Sequence, residues 1–319
     1  MSIENQDYLL KPMNCLGHIL IYKTQLHSYR NLPIRYAELG TVYRYERSGV
    51  LHGLARVRGF TQDDAHIFCQ PSQLESEIIE VLELARFMMT TFGFKEYELL
   101  LSTRPEKYAG TIDIWEEATN SLKKVLDKLG LTYEIDPGEG VFYGPKIDIK
   151  LKDALGRLWQ GPTIQVDFNL PQRFNVSYIG SDSAEHLVVM IHRTVLGSME
   201  RFLACLVEHY GGVFPVWLSP VQAVIIPIAD RHLDYAHQIR TNLVQESIRA
   251  QVDDRPERMN LKIRNAEQEK IPYMLIVGDK EVTSSSVSLR LRSGEDLGLT
   301  PLSQFEERVK TAIEAKILI

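Results

Sequence analysis

Apolar residues recur at helical spacing through Leu74, Ile78, Val81, Leu82, Ala85 and Met89, which predicts a helix from Ser72 to about Phe92. Ser72 and Glu75 have the spacing of a capping box at its start. Trp115 to Leu129 shows the same character and stops at Gly130, and Leu196 to Tyr210 stops at Gly211-Gly212. Between them, Tyr143 to Leu151 and Leu158 to Phe168 alternate like antiparallel strands. The stretch Gly211 to Pro220, GGVFPVWLSP, holds two glycines and two prolines, and beyond it the pattern becomes β-α-β-α: VQAVIIPI, a helix from Leu233 to Ala250, YMLIVG, then VSLRLR. Two domains are therefore expected, residues 1–213 and 214–319.

Composition narrows the class. A chain of 319 residues that is 44% hydrophobic is too long for one ordinary core and can fill two. Cys15, Cys69 and Cys205 cannot form a disulfide framework, and their scatter suits a reducing cytoplasm with at most one functional thiolate. The sequence has no 18-residue apolar run, signal peptide or transit segment, so no membrane partner is expected. A net charge of −6 excludes a generally basic nucleic-acid binder but leaves local basic surfaces for RNA.

Three polar motifs carry the candidate chemistry: KPMNCLGH (Lys11 to His18), VRGFTQDDAHIFC (Val57 to Cys69) and MIHRTVLGSMERF (Met190 to Phe202). They contribute Cys15, His66 and His192. Zinc takes thiolate and imidazole ligands tetrahedrally, and three protein ligands leave a position open for substrate or water. Spacing alone is weak evidence for this and favours a buried cysteine with two hydrogen-bonded core histidines. His18, three residues after Cys15, is a rival ligand by proximity.

At these motifs the chain closely resembles threonyl-tRNA synthetase, a class II aminoacyl-tRNA synthetase, over essentially its whole length. The resemblance implies a class II antiparallel sheet with flanking helices, followed by a smaller α/β anticodon-binding domain. It implies threonine–tRNA ligase activity, with ATP, L-threonine and tRNA(Thr) as partners, one Zn2+ per chain, and Mg2+ arriving with ATP. It selects Cys15, His66 and His192 as zinc ligands and leaves His18 structural. The zinc would hold threonine through its amino and hydroxyl groups, which rejects valine because a site built to satisfy a hydroxyl is left unsatisfied without one. Serine would pass, and no separate editing domain is evident.

Tyr43-Arg44-Tyr45-Glu46 resembles class II motif 2, whose Arg contacts the α-phosphate and whose Glu reads the adenine amino group. Gly197-Ser198-Met199-Glu200-Arg201 resembles motif 3, whose Arg holds the γ-phosphate. Arginine suits this work because its planar fork binds phosphate bidentately and stays charged. The resemblance adds Arg56 as a phosphate contact, Phe60 as the ring on adenine, and Gln160, Thr163 and Ser198 at the ATP pocket. For threonine it implies Asp64, Gln62, Tyr143 and Gln165, with Lys146 beside the carboxylate and Arg44, Arg201 and Lys146 as the catalytic cations. Glu281 and Arg290 fall where the family reads anticodon bases. For the transfer step His18 and His186 are both chemically able to accept a proton, and the sequence selects neither.

Two departures from the family pattern stand out. Leu16 replaces the proline that follows the cysteine, which bears on the rigidity of the turn aiming Cys15. The chain opens ten residues before KPMNC, so motif 1 and the editing region are expected to be missing, with a homodimer expected when motif 1 is supplied. The alternative reading is a truncated or non-catalytic synthetase-like RNA-binding or regulatory paralogue. Retention of the ATP and zinc constellation argues against it.

Overall fold

The computed structural model describes residues 1–152 and 156–317. It divides into two compact units, Met1–His209 and Tyr210–Ile319. In the first, seven strands form one sheet in the order Ile34–Tyr43, Gly59–Cys69, Val189–Ser198, Leu158–Asp167, Lys146–Lys152, Tyr97–Ser102, Glu134–Asp136. Neighbours are antiparallel except the last pair, Tyr97–Ser102 with Glu134–Asp136, which is parallel.

Side chains alternate across a strand, so each strand divides its residues between two faces. On one face Ile67, Ile191, Ile164, Ile147 and Leu101 are buried under Ile78, Val81 and Leu82 of the helix Leu74–Thr91 and Leu122, Val125 and Leu126 of the helix Ile112–Lys128. Each fully buried Leu or Ile stabilises the sheet–helix layer by about 1.5–3 kcal/mol. The other face is apolar at one end and polar along its middle. Strand register places Tyr36, His66, His192, Gln165, Lys146 and Ser102 in one row across six strands. The helix Cys15–Tyr22 covers one end of this face, where Cys15, Ile19 and Tyr22 pack with Phe68 and Met190.

Several element boundaries differ from those the periodicity predicts. The long helix begins at Leu74 after a 3-10 turn, Pro71–Gln73. Pro71 starts the turn early, so Gln73 rather than Glu75 reaches back, its Oε1 accepting the Gln70 N–H at 3.0 Å. Glu75 instead pairs with Lys124 at 2.7 Å and Lys128 at 2.6 Å on the neighbouring helix. The helix expected from Leu196 begins at Met199. Asp63 accepts the backbone N–H groups of Val195, Leu196 and Gly197 at 2.8, 2.9 and 2.7 Å, holding those residues outside the helix. Gly197 sits there at φ +76°, a conformation open to glycine. The strands expected from Tyr143 and to Phe168 run Lys146–Lys152 and Leu158–Asp167.

The second unit holds a five-stranded sheet in the order Ala250–Val252, Ala223–Pro227, Tyr273–Val277, Ser286–Leu291, Asp296–Pro301. The first three strands are parallel and the last two join antiparallel. The helix expected to reach Ala250 ends at Gln245, and Ser247 adopts φ +62° to turn the chain into the edge strand. Ile239, Leu243, Phe305 and Val309 pack the helices onto one face of this sheet.

Candidate active site and metal centre

Cys15, His66 and His192 are all buried, and their ligand atoms lie within 4.8 Å of one another. His66 and His192 face each other across paired strands, and Cys15 is delivered by the first residue of its helix. Leu16, the second helical residue, is 48% exposed, so the helix turns inward at Cys15 without the proline. Cys15 Sγ lies 3.4 Å from His192 Nδ1. His66 Nε2 is buried with no hydrogen-bond partner among the described residues, an arrangement that a coordinated cation satisfies. Burial disfavours a charged His192, yet Cys15 and Asp167 beside it outweigh that and push it up to about 10. Burial, together with His192 and His18, holds His66 well below its ordinary value. A thiol and two imidazoles, one with an unpaired nitrogen, fit a borderline-soft divalent cation.

His18, the rival by proximity, does not enter the trio. Its Nδ1 is 2.7 Å from His66 Nδ1, and its Nε2 faces Glu38 Oε1 at 3.5 Å. His192 Nε2 is 2.9 Å from Asp167 Oδ2. Asp64 is buried beside the trio, where Asn14 Nδ2 donates to its Oδ2 at 3.2 Å. Burial raises the Asp64 carboxyl, partly offset by Asn14 and His192. A Cβ at Gly40 would come within 2.5 Å of Asn14 Nδ2, so glycine makes room for that bond.

Cys15 and His192 open into a cavity of about 740 Å³ lined by two chemistries, with His66 buried behind them. Near Cys15 and His192 are Gln62, Asp64, Tyr143 and Gln165, and Tyr143 donates to Gln165 Oε1 at 2.5 Å. Farther along lie the cations Arg44, Arg56, Lys146 and Arg201. Arg44 stacks on Phe60 at 5.2 Å, and its Nε donates to Pro12 O at 3.1 Å. Arg201 donates to Ala55 O at 2.8 Å, and burial lowers its proton affinity. Glu46 and Arg56 face each other at 3.1 Å, and Gln160, Thr163 and Ser198 complete the wall.

Residues given no role by the sequence hold these side chains in place. Asp148, 2% exposed, accepts from Ser102, Gln160 and Thr163 at 3.1, 2.9 and 3.2 Å and pairs with Lys146 Nζ at 2.7 Å. Glu200 accepts the Thr61 N–H and the Ser198 hydroxyl, tying the strand of Phe60 to the segment before Arg201. In the second unit Glu281 Oε2 accepts the Gly278 N–H at 2.8 Å, and Arg290 pairs with Asp296 at 3.2 Å. His186 lies on the short strand Glu185–Leu187, bonded to Asp182, and does not line the cavity.

Comparison with known proteins adds independent findings. Residues 1–210 match the family model of the tRNA synthetase class II core domain (G, H, P, S and T), and residues 222–312 match that of the anticodon binding domain. A threonine–tRNA ligase of Dehalococcoides mccartyi is 61% identical over 316 residues, covering 99% of this chain and 54% of that protein. One from Aquifex aeolicus is 54% identical, over 99% of this chain and 50% of its own length. The chain thus spans about half the length of the curated relatives it matches. A crystal structure described as the RNA binding domain of threonyl-tRNA synthetase from Cryptosporidium parvum superposes with TM-score 0.93 and 42% identity, covering 98% of this chain and 78% of that one.

Proposed function

The chain belongs to the class II tRNA synthetases, among the threonyl-tRNA synthetases, and on that premise we propose that it carries the threonine-activating and anticodon-binding parts of a threonine–tRNA ligase. The observation that supports this best is a cavity lined both by Cys15 and His192 of the Cys/His/His cluster and by the cations Arg44, Arg56, Lys146 and Arg201. In the reaction the threonine carboxylate attacks the α-phosphorus of ATP and pyrophosphate leaves; a ribose hydroxyl of tRNA(Thr) then attacks the acyl carbon of the adenylate, and AMP leaves. Negative charge builds at phosphorus and on the leaving group, so fixed cations lower the barrier without covalent chemistry.

Arg44 serves the α-phosphate, Arg201 and Arg56 the leaving phosphates that bring Mg2+ with them, and Lys146 the threonine carboxylate. Phe60 stacks on adenine, with Glu46 on its amino group and Gln160, Thr163 and Ser198 along the pocket wall. Asp64 accepts from the threonine amino group, and Gln62, Tyr143 and Gln165 shape the space around the side chain. Cys15, His66 and His192 hold zinc, which when bound supplies open coordination for the amino and hydroxyl groups of threonine. Glu281 and Arg290 read anticodon bases, the edges that proteins recognise in single-stranded loops.

Pyrophosphate exchange tests this reading. Among the common amino acids threonine should drive rapid exchange, serine slower exchange, and valine almost none. Exchange driven equally by valine, or by no amino acid, would remove the assignment.

A further inference from the structure

The zinc reading leaves open which nitrogen of each histidine meets the cation, and this inference rests on that reading. His66 Nε2 is the buried, partnerless nitrogen, while its Nδ1 contacts His18 Nδ1 at 2.7 Å. His192 is turned the other way, with Nδ1 toward Cys15 Sγ and Nε2 on Asp167 Oδ2 at 2.9 Å. A coordinating nitrogen must carry a lone pair, so a neutral ring keeps its proton on the opposite nitrogen.

We infer that Asp167 and His18 are positioning residues that fix the tautomers of the two metal ligands, so that His192 binds through Nδ1 and His66 through Nε2. Asp167 accepts the proton on His192 Nε2. His18 accepts the proton on His66 Nδ1 with its own Nδ1, which places the His18 proton on Nε2, facing Glu38 Oε1 at 3.5 Å. The two supports differ in kind. His192 is backed by a carboxylate that is 0% exposed, and His66 by a neutral imidazole that relays to a half-exposed carboxylate.

The other oxygen of Asp167 makes the claim sharp. Oδ1 accepts the backbone N–H groups of Asn169 and Leu170 at 2.7 and 3.0 Å, starting the helix Asn169–Phe174. In Asp167→Asn the amide oxygen must stay on those two donors, so the NH2 group turns to His192 Nε2. That nitrogen then has to accept, and the ring proton moves to Nδ1, where it blocks coordination. The variant keeps its helix cap and loses the tautomer.

Competition with a chromogenic chelator and the absorption spectrum of the cobalt-substituted protein measure the effect. The unaltered protein should take up one zinc. Asp167→Asn should bind zinc about 10–100-fold more weakly, the scale for losing a partner of a metal-bound histidine, with a changed cobalt spectrum and an unchanged far-ultraviolet dichroism. His18→Phe should weaken zinc as well, whereas His18→Gln, whose amide oxygen can accept from His66, should recover part of it. Nitrogen-15 spectra of the zinc-loaded, unaltered protein give a reading independent of any variant, with protons expected on His66 Nδ1 and His192 Nε2. Zinc affinity unchanged in Asp167→Asn and His18→Phe, or both rings bound through the same nitrogen, would overturn the inference while leaving the zinc reading intact. Failure of the unaltered protein to bind zinc would overturn the zinc reading itself.

Discussion

Asp148→Asn isolates the support of Lys146 from the lysine itself. Asp148 accepts from four side chains, with Ser102 and Lys146 on Oδ2 and Gln160 and Thr163 on Oδ1. An asparagine offers one acceptor oxygen where the carboxylate offered two. If that oxygen stays on Lys146 and Ser102, the new NH2 faces the NH2 of Gln160, donor against donor; the Thr163 hydroxyl can rotate to accept. The net loss is one hydrogen bond and the charge opposite a lysine side chain that is 12% exposed. Hydrogen bonds to charged groups contribute about 1.5–3 kcal/mol. For a unit the size of Met1–His209 a loss of that order lowers Tm by roughly 3–12 °C, at about 2–4 °C per kcal/mol. The same energy, expressed in the transition state, is about 10–100-fold in kcat/KM for threonine. Thermal melting and pyrophosphate exchange read the two effects. An Asp148→Asn protein with unchanged Tm and unchanged kcat/KM would show that Asp148 does not support Lys146.

Replacing Cys15, His66 or His192 by Ala should remove stoichiometric zinc and threonine activation together, and a variant that keeps both takes its residue out of the site. Arg44→Ala and Arg201→Ala should each slow activation by at least about 10²-fold, the scale for a preorganised charge-stabilising group, with zinc content unchanged in metal analysis. Glu281→Ala and Arg290→Ala should impair aminoacylation and spare pyrophosphate exchange; equal losses in both assays would assign these residues to folding. Lys124 and Lys128 hold the Glu75 carboxyl down at about 2. A depressed folded value contributes stability above the ordinary carboxylate value of 4.5 that is lost as pH falls toward about 2. Glu75→Gln should therefore differ from the parent in urea midpoint near neutrality, the difference shrinking through that acid window, and a gap constant with pH would rule out the linkage.

How far the sequence carries depends on whether a residue acts along the chain or across it. Periodicity exposes the amphipathic helices because Ile78, Val81, Leu122 and Leu126 all face one core. Periodicity starts a helix at Leu196, whereas the amides of Val195, Leu196 and Gly197 are bound by Asp63, more than a hundred residues away. The roles of Asp148 and Asp167 also depend on partners across the sheet, although alternation holds a clue. Lys146 and Asp148, and Gln165 and Asp167, are two apart in strands, so each acid lies on the face of a residue already singled out. His66 and His192 meet through strand pairing and Cys15 reaches them from a helix, and no local spacing in the chain encodes that meeting.

The central claim is that one metal-bearing cavity selects threonine by its hydroxyl, and the most direct measurement is threonine against valine in pyrophosphate exchange, with zinc bound, removed and restored. The zinc-loaded protein should favour threonine by about 10⁴ or more, the scale for a site left with an unsatisfied polar partner. Removing zinc should abolish exchange, and restoring it should recover both rate and selectivity. Exchange that survives zinc removal with its threonine preference intact would contradict the account.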